Sequence, residues 1–463
     1  MIREILDREF IKARVAELAR DLKKRSEQLS TASDEVRKAA TESEVAPEDL
    51  DHAHEVVADL AKTGDYSSKE DEAAWIPRDP YLCIVQSALE DFYREADAVQ
   101  TGQGQGFAEA SDPISDSSLK PEWRPTGARG FAEQAEETDY LGWGLSFAIA
   151  SSIAALRGKA KFPEQSEAPV QIEDNARLIL VGDWASGVSR ANKVSMQMKE
   201  HLLEARAGNR ERHVIHLGDV YYAGRAYEYQ RRMAETWPVD PGDVGKIGSW
   251  CLNGNHDMFS GGHALYSFLK SDSRFGRQSG CSYFALENRD WLIFGLDSAY
   301  ESVGFKGDAG GLANPQLEYI MKQIGRAPQK KVMLLSHHQP FSAWEEDSPK
   351  LVRALEPILK REGHPVSAWF WGHEHRWAVY EPTLGIGYPA LVGHGGVPVY
   401  HHNKPPDPAK AEVRAKDDRF FRYFGEKFSY MGFGVLDLEG AQGSVNYYDE
   451  NGEPMLADAH RVG

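Results

Sequence analysis

Three short apolar runs, each followed by a glycine and then Asp or Asn, do most to limit how this chain can fold. Leu178-Ile-Leu-Val181 runs into Gly182-Asp183, His213–Leu217 into Gly218-Asp219, and Trp250–Leu252 leads to Gly254-Asn255. A continuous apolar run of this kind, ending in a polar turn, reads as a buried strand that feeds a loop. The polar positions recur at 36 residues, from 183 to 219 and from 219 to 255. One β-α-β unit takes about 30 residues or more. Each Asp or Asn is therefore expected at a strand's carboxyl end, where open α/β sheets place their sites. Side chains far apart in sequence would then meet along one sheet edge.

Five short segments in fixed order add to that picture. They are V-G-D-W-A at Val181–Ala185, L-G-D-V-Y-Y at Leu217–Tyr222, G-N-H-D at Gly254–Asp257, S-H-H-Q-P at Ser336–Pro340 and G-H-E-H at Gly372–His375. Carboxylate, amide and phenol oxygens together with imidazoles suit a pair of catalytic divalent or trivalent metals. Taken singly, an Asp after a strand-end Gly is more often a turn or N-cap residue, so the weight lies in the joint occurrence. The set resembles the calcineurin-like metallophosphoesterase superfamily, over about Arg177 to Tyr448.

That resemblance implies a four-layer α/β/β/α sandwich, with metal ligands on loops at one edge and a hydroxide bridging two ions as nucleophile. Many members carry a metal-binding His at the position of Ala185. Purple acid phosphatases lack it too, and have a tyrosine three residues after the second-segment aspartate, where this chain has Tyr222. The site looks purple-acid-phosphatase-like, and a phenolate favours Fe3+ beside Fe2+, Zn2+ or Mn2+. Carried over by motif, Asp219 bridges the two ions. Asp183, Tyr222 and His375 hold the first, and Asn255, His373 and one of His337 and His338 hold the second. An H-x-P alignment picks His338 and an H-H-P-P alignment picks His337, and the choice stays open. His256 matches the family's catalytic histidine, with Asp257 expected to orient and charge its imidazole.

The implied activity is hydrolysis of a small phosphorylated substrate, a phosphomonoester first and a phosphodiester such as a cyclic nucleotide as the alternative. A different class is a scaffold with a vestigial metal site and a partner-binding N-terminal region. His263, His394, Arg376 and His401-His402 lie near or beyond the motifs and carry no assigned role.

The rest of the chain sets bounds. A length of 463 residues suggests two or three domains. Net charge is −18, which repels phosphate backbones and argues against nucleic acid as the main partner. Cys83, Cys251 and Cys281 are too scattered for a disulfide framework, and the charged N-terminus shows no secretory h-region. A reduced, cytoplasmic protein is the expectation. Residues 1–165 read as a mainly helical region whose role no motif assigns, with protein contacts or oligomerisation among the open alternatives, followed by the catalytic domain at 175–450 and a tail at 451–463. Helices are expected from Ile2 to a basic stop at Lys23-Lys24-Arg25, then at Pro47–Lys62 and Pro80–Val99. Tyr140–Leu156 is apolar but diluted by Gly and Ser, so it is expected as a buried helix and not a membrane span.

Overall fold

The computed structural model describes residues 8–30, parts of 54–77, 159–164 and 168–463, apart from 302–309, 364, 400, 402–404 and 424–425. Two units emerge from its internal contacts. One comprises Met1–Lys159 with Phe259–Gly261, and the other Ala160–Met258 with Gly262–Gly463. The expected helix at Pro80–Val99 and the apolar stretch Tyr140–Leu156 lie outside the described residues.

In the first unit, helix α1 covers Arg8–Ser30 and buries Val15 and Ala19. It runs on past Lys23–Arg25, because no Gly or Pro interrupts the segment before Ser30. Basic side chains favour a helix end but cannot impose one. No described helix is long and apolar enough to cross a membrane.

The second unit is built on two sheets. Its strands are β1 (Val170–Gln171), β2 (Asn175–Val181), β3 (Glu211–His216), β4 (Ile247–Cys251), β5 (Phe284–Glu287), β6 (Trp291–Leu296), β7 (Lys331–Ser336) and β8 (Val366–Trp371). Then follow β9 (Trp377–Tyr380), β10 (Pro389–Val392), β11 (Val413–Lys416), β12 (Phe420–Tyr423), β13 (Glu426–Ser429), β14 (Gly432–Glu439), β15 (Gln442–Asp449) and β16 (His460–Val462). Eight strands form one sheet in the order β11-β9-β10-β8-β7-β6-β5-β1, and six form the other in the order β16-β15-β14-β2-β3-β4. β2, β3 and β4 run parallel, as do β6, β7, β8 and β10. The apolar runs that read as strands are buried on both faces, β2 and β3 inside their sheet and β4 at its edge, which explains why they are apolar throughout and not alternating.

A core joins the sheets face to face. Leu178, Leu180, Ile215, Leu217 and Trp250 meet Ile293, Met333, Leu335 and Phe370. On the outer face of the eight-stranded sheet, α4 (Asn314–Arg326) and α5 (Pro349–Leu359) bury Tyr319, Ile320, Leu351 and Leu355 against Leu292, Phe294, Leu334 and Trp369. Helix α2 (Ser189–Ala207) lies on β2, β3 and β14 of the other sheet. These are the four layers that the resemblance implied. Truncating a fully buried core residue such as Leu335 to alanine should cost about 2–5 kcal/mol.

Two local readings differ. Tyr227–Trp237 reads as a regular helix, but Ala226–Glu228 makes one α-turn and Tyr229–Ala234 is π-helical. The tail expected after 450 returns to the sheet, where β16 pairs with β15.

Candidate metal centre

Every motif segment leaves the carboxyl end of a strand. Asp183 follows β2, Asp219 follows β3, and Asn255 opens the short helix α3 (Asn255–Met258) after β4. His337 and His338 follow β7, and His373 and His375 follow β8. The two sheets are stitched together at this edge, where the Gly182 amide donates to the Val392 carbonyl at 3.0 Å, and β7 and β8 stay paired into their loops, the Gly372 amide donating to the His337 carbonyl at 3.0 Å. Asp183, Asp219 and His373 all have positive φ, 55°, 72° and 73°. Left-handed backbone at a non-glycine residue costs about 1–3 kcal/mol and gathers at functional sites. Gly254 is required for a different reason. A Cβ there would run into the Asp219 carboxylate.

Two groups of ligand-type side chains result. In the first, Asp183, Asp219 and His375 lie close enough to share one ion. The Tyr221 hydroxyl sits among them, 2.9 Å from Asp183 Oδ1, 3.3 Å from Asp219 Oδ2 and 2.7 Å from His375 Nε2. A hydroxyl has one proton and cannot donate to all three at once. In the second group, Asn255 Oδ1 lies 2.8 Å from His337 Nε2 and 3.0 Å from His373 Nδ1, and those two nitrogens are 3.2 Å apart. His337 Nδ1 donates to the Leu217 carbonyl at 3.1 Å, so its Nε2 presents a lone pair to the amide oxygen. Asp219 Oδ2 is 3.4 Å from that same Nε2. One carboxylate oxygen therefore faces both groups.

Acceptors turned on one another in a buried place are costly unless a cation or proton lies between them. The titration directions agree. Burial, with Asp183 and Asp257 beside it, pushes the Asp219 carboxyl well above the usual range. Burial and the neighbouring imidazoles hold His337 and His373 well below theirs. The donor set fits two metal ions.

The structure departs from the motif reading at Tyr222. It is the Tyr221 phenol that enters the first group. Val220 bridges in parallel to Ala185, and the turn about Asp219 brings the Tyr221 hydroxyl to Asp183, Asp219 and His375. Tyr222 turns its ring under Arg232, at 5.2 Å, and contributes backbone. Its amide donates to Glu228 Oε1 and its carbonyl accepts from His256 Nδ1 at 2.6 Å. Counting along the motif had no means of showing this, because the left-handed turn at Gly218 and Asp219 decides which ring faces the site.

His256 is buried, with Nε2 3.7 Å from Asp219 Oδ2. Because Nδ1 donates to a carbonyl, Nε2 carries the lone pair, and burial holds this imidazole down to about 3. Asp257 does not orient it. Its carboxylate accepts from the amides of Asp219, Val220 and Gly254 and from the Tyr229 hydroxyl at 2.7 Å. It holds the loops after β3 and β4 in place. Glu228, fully buried, does the same for the amides of Tyr222, Ala223 and Arg225 and was not foreseen. Of the adjacent histidines, His337 occupies the junction with Asn255 and Asp219. His338 belongs to the same group, close enough to share an ion with His337 and His373, with Nδ1 on the Ser298 hydroxyl at 3.0 Å and its ring 4.7 Å from that of His373.

The chain is similar to known proteins to differing extents. Residues 176–377, which hold all five segments, match the family model for calcineurin-like phosphoesterases. The chain is 25% identical to tartrate-resistant acid phosphatase type 5 of Sus scrofa over 303 residues, 60% of this chain and 85% of that protein. It is 25% identical to the Homo sapiens enzyme of that name over 302 residues, 60% of this chain and 89% of that one. Among solved structures it is similar to GAP50, the anchor in the inner membrane complex of Plasmodium, with a TM-score of 0.42 and 13% identity, covering 62% of this chain and 89% of that one. Residues 176–377 thus match a calcineurin-like phosphoesterase domain, and the chain around them is similar to the tartrate-resistant acid phosphatases.

Proposed function

We propose that this domain hydrolyses phosphate esters, monoesters in preference to diesters, with two metal ions as cofactors. The observation that carries the reading is the buried junction at which Asp219 Oδ2 faces the Tyr221 hydroxyl at 3.3 Å and His337 Nε2 at 3.4 Å. The preference for monoesters is supported by the similarity to acid phosphatases. Asp183, Tyr221 and His375 would hold one ion, Asn255, His337 and His373 the other, and Asp219 would serve both. Such a pair of ions supplies Lewis acidity and a nucleophile at neutral pH.

The chain's own residues do the remainder. Asp257 and Glu228 fix the loops that carry Asp219 and Tyr221, so the ligands are set before substrate arrives. The Tyr222 carbonyl holds His256 in one tautomer, with the lone pair on Nε2, which would take a proton from the attacking water and pass it to the leaving oxygen. His338, tied to Ser298, belongs to the second group and limits its freedom to shift.

The test is direct. Purified protein is expected to bind two equivalents of metal per chain and to cleave an aryl phosphate faster than an aryl phosphodiester. Failure to cleave either with iron, zinc or manganese supplied overturns the phosphoesterase reading. A faster diester reaction overturns the preference alone.

A further inference from the structure

The segment that joins β11 to β14 lies outside the 176–377 family match, yet strand direction brings it to the metal edge. β11 is antiparallel to β9, which is antiparallel to β10, so β11 ends at the same edge as β7 and β8. β14 is antiparallel to β2 and therefore begins there. The hairpin of β12 and β13 spans the gap. It is anchored by the Ser429 amide donating to Val399 at 3.2 Å and the His401 amide to Lys427 at 2.8 Å. The loop it pairs with, 393–401, is itself fastened beside Asp183 by the Gly395 amide on the Gly182 carbonyl at 3.0 Å.

The hairpin has two unlike faces. Phe421 pairs with Phe428 on the inner one, where the Arg190 guanidinium lies 4.4 Å over the Phe421 ring. The outer face carries Phe420, Arg422 and Lys427, since Phe420 and Arg422 are two apart and Arg422 pairs with Lys427. Phe420 is 39% exposed. Lys427 Nζ is 4.3 Å and the Arg422 guanidinium 5.9 Å from the centre of its ring, and the His401 ring is 5.2 Å away. Two cations thus stand round an exposed phenyl, in a protein of net charge −18.

We infer that Phe420, Arg422 and Lys427 form a specificity subsite for an ester that carries both an aromatic ring and extra negative charge, a nucleoside polyphosphate being the matching chemistry. The phenyl offers a stacking surface and the two cations an anion site, while the local positive field draws a polyanion to an otherwise acidic protein. This rests on the phosphoesterase reading for turnover but not for binding.

The experiment uses the full chain with metal supplied. The kcat/KM ratio for adenosine 5′-diphosphate over glycerol 3-phosphate is measured for the wild type, Phe420→Ala and Arg422→Glu/Lys427→Glu, beside the conservative Phe420→Trp and Arg422→Lys. In parallel, a fluorescent etheno-adenosine diphosphate is titrated into each protein. A ratio about tenfold lower in the first two variants, through KM, and restored in the conservative ones is expected. The same variants should weaken binding of the fluorescent nucleotide by a similar factor. Unaltered ratios and unaltered binding overturn the subsite. Binding that weakens as expected while neither ester is cleaved keeps the subsite and overturns the phosphoesterase reading instead.

Discussion

The two halves of the candidate metal centre are built from different chemistry. The first, Asp183, Tyr221 and His375, is rich in anionic or acidic oxygen, whereas the second, Asn255, His337 and His373, is neutral and mostly nitrogen. They share Asp219 and little else. A seat with two carboxylates and a phenol stabilises higher positive charge than one with an amide and imidazoles. The difference teaches that the two positions are not chemically interchangeable.

The change that should erase the comparison is Asp219→Asn, since it removes the one oxygen that faces both groups. Both ions are expected to bind more weakly, with activity lowered by about 10³-fold or more. Metal analysis after dialysis and a phosphatase assay check this, and retention of two tightly bound ions would remove the shared carboxylate from the account. Next in size is His256→Ala. Because His256 touches neither ion in this reading, metal content should hold at two per chain while kcat falls by about 10²–10⁴-fold. A loss of one ion in that variant would make His256 a ligand and the halves less distinct.

How much of this was legible in the sequence depends on what each residue answers to. β2, β3 and β4 are continuous apolar runs because both their faces are buried, so their place and the edge they share could be read directly. The motif residues on the first turn after each strand, Asp183, Asp219, Asn255 and His373, are where the segments put them. Beyond that first turn, local backbone decides. Tyr221 displaced Tyr222 because the left-handed turn at Gly218 and Asp219 governs which side chain faces the site, and a motif count does not see it. Asp257 was read as the partner of its neighbour His256, but a buried carboxylate serves the nearest unsatisfied amides, which belong to loops 30 or more residues away in sequence for Asp219 and Val220. β12 and β13 gave no warning, since Phe420–Ser429 mixes charge and aromatics on a solvent-facing hairpin and matches no buried pattern.

The tyrosine pair offers a finer probe of the oxygen-rich half. Tyr221→Phe removes the hydroxyl that meets Asp183, Asp219 and His375, and is expected to weaken the first ion by about tenfold and abolish any visible phenolate-to-iron absorption. Tyr222→Phe keeps the carbonyl that holds His256, and should leave both the spectrum and the metal content as they are. The reverse pattern would restore Tyr222 as the ligand and place Tyr221 outside it.

The smallest effect separates the ligating imidazoles from a buried one that lies outside both halves. His394, in the loop after β10, is buried, and neither ring nitrogen has a hydrogen-bond partner among the described residues. Burial first, with Asp417 and Arg419 as lesser influences, holds it down to about 3 against an ordinary 6.5. Its folded value is below its unfolded one, so the unfolded chain takes up the proton first. The stability in question is complete above about pH 6.5 and drains away as pH falls toward 3. At pH 5 the loss amounts to about 2 kcal/mol at most. Metal should not cancel it, since His394 is no ligand, whereas it should protect His337 and His373. Urea midpoints of the metal-loaded protein at pH 7 and pH 5 are therefore expected to differ less in His394→Met than in the wild type. If the two proteins lose the same stability between those pH values, His394 is solvated or paired in solution, and the contrast between ligating and merely buried imidazoles fails at this position.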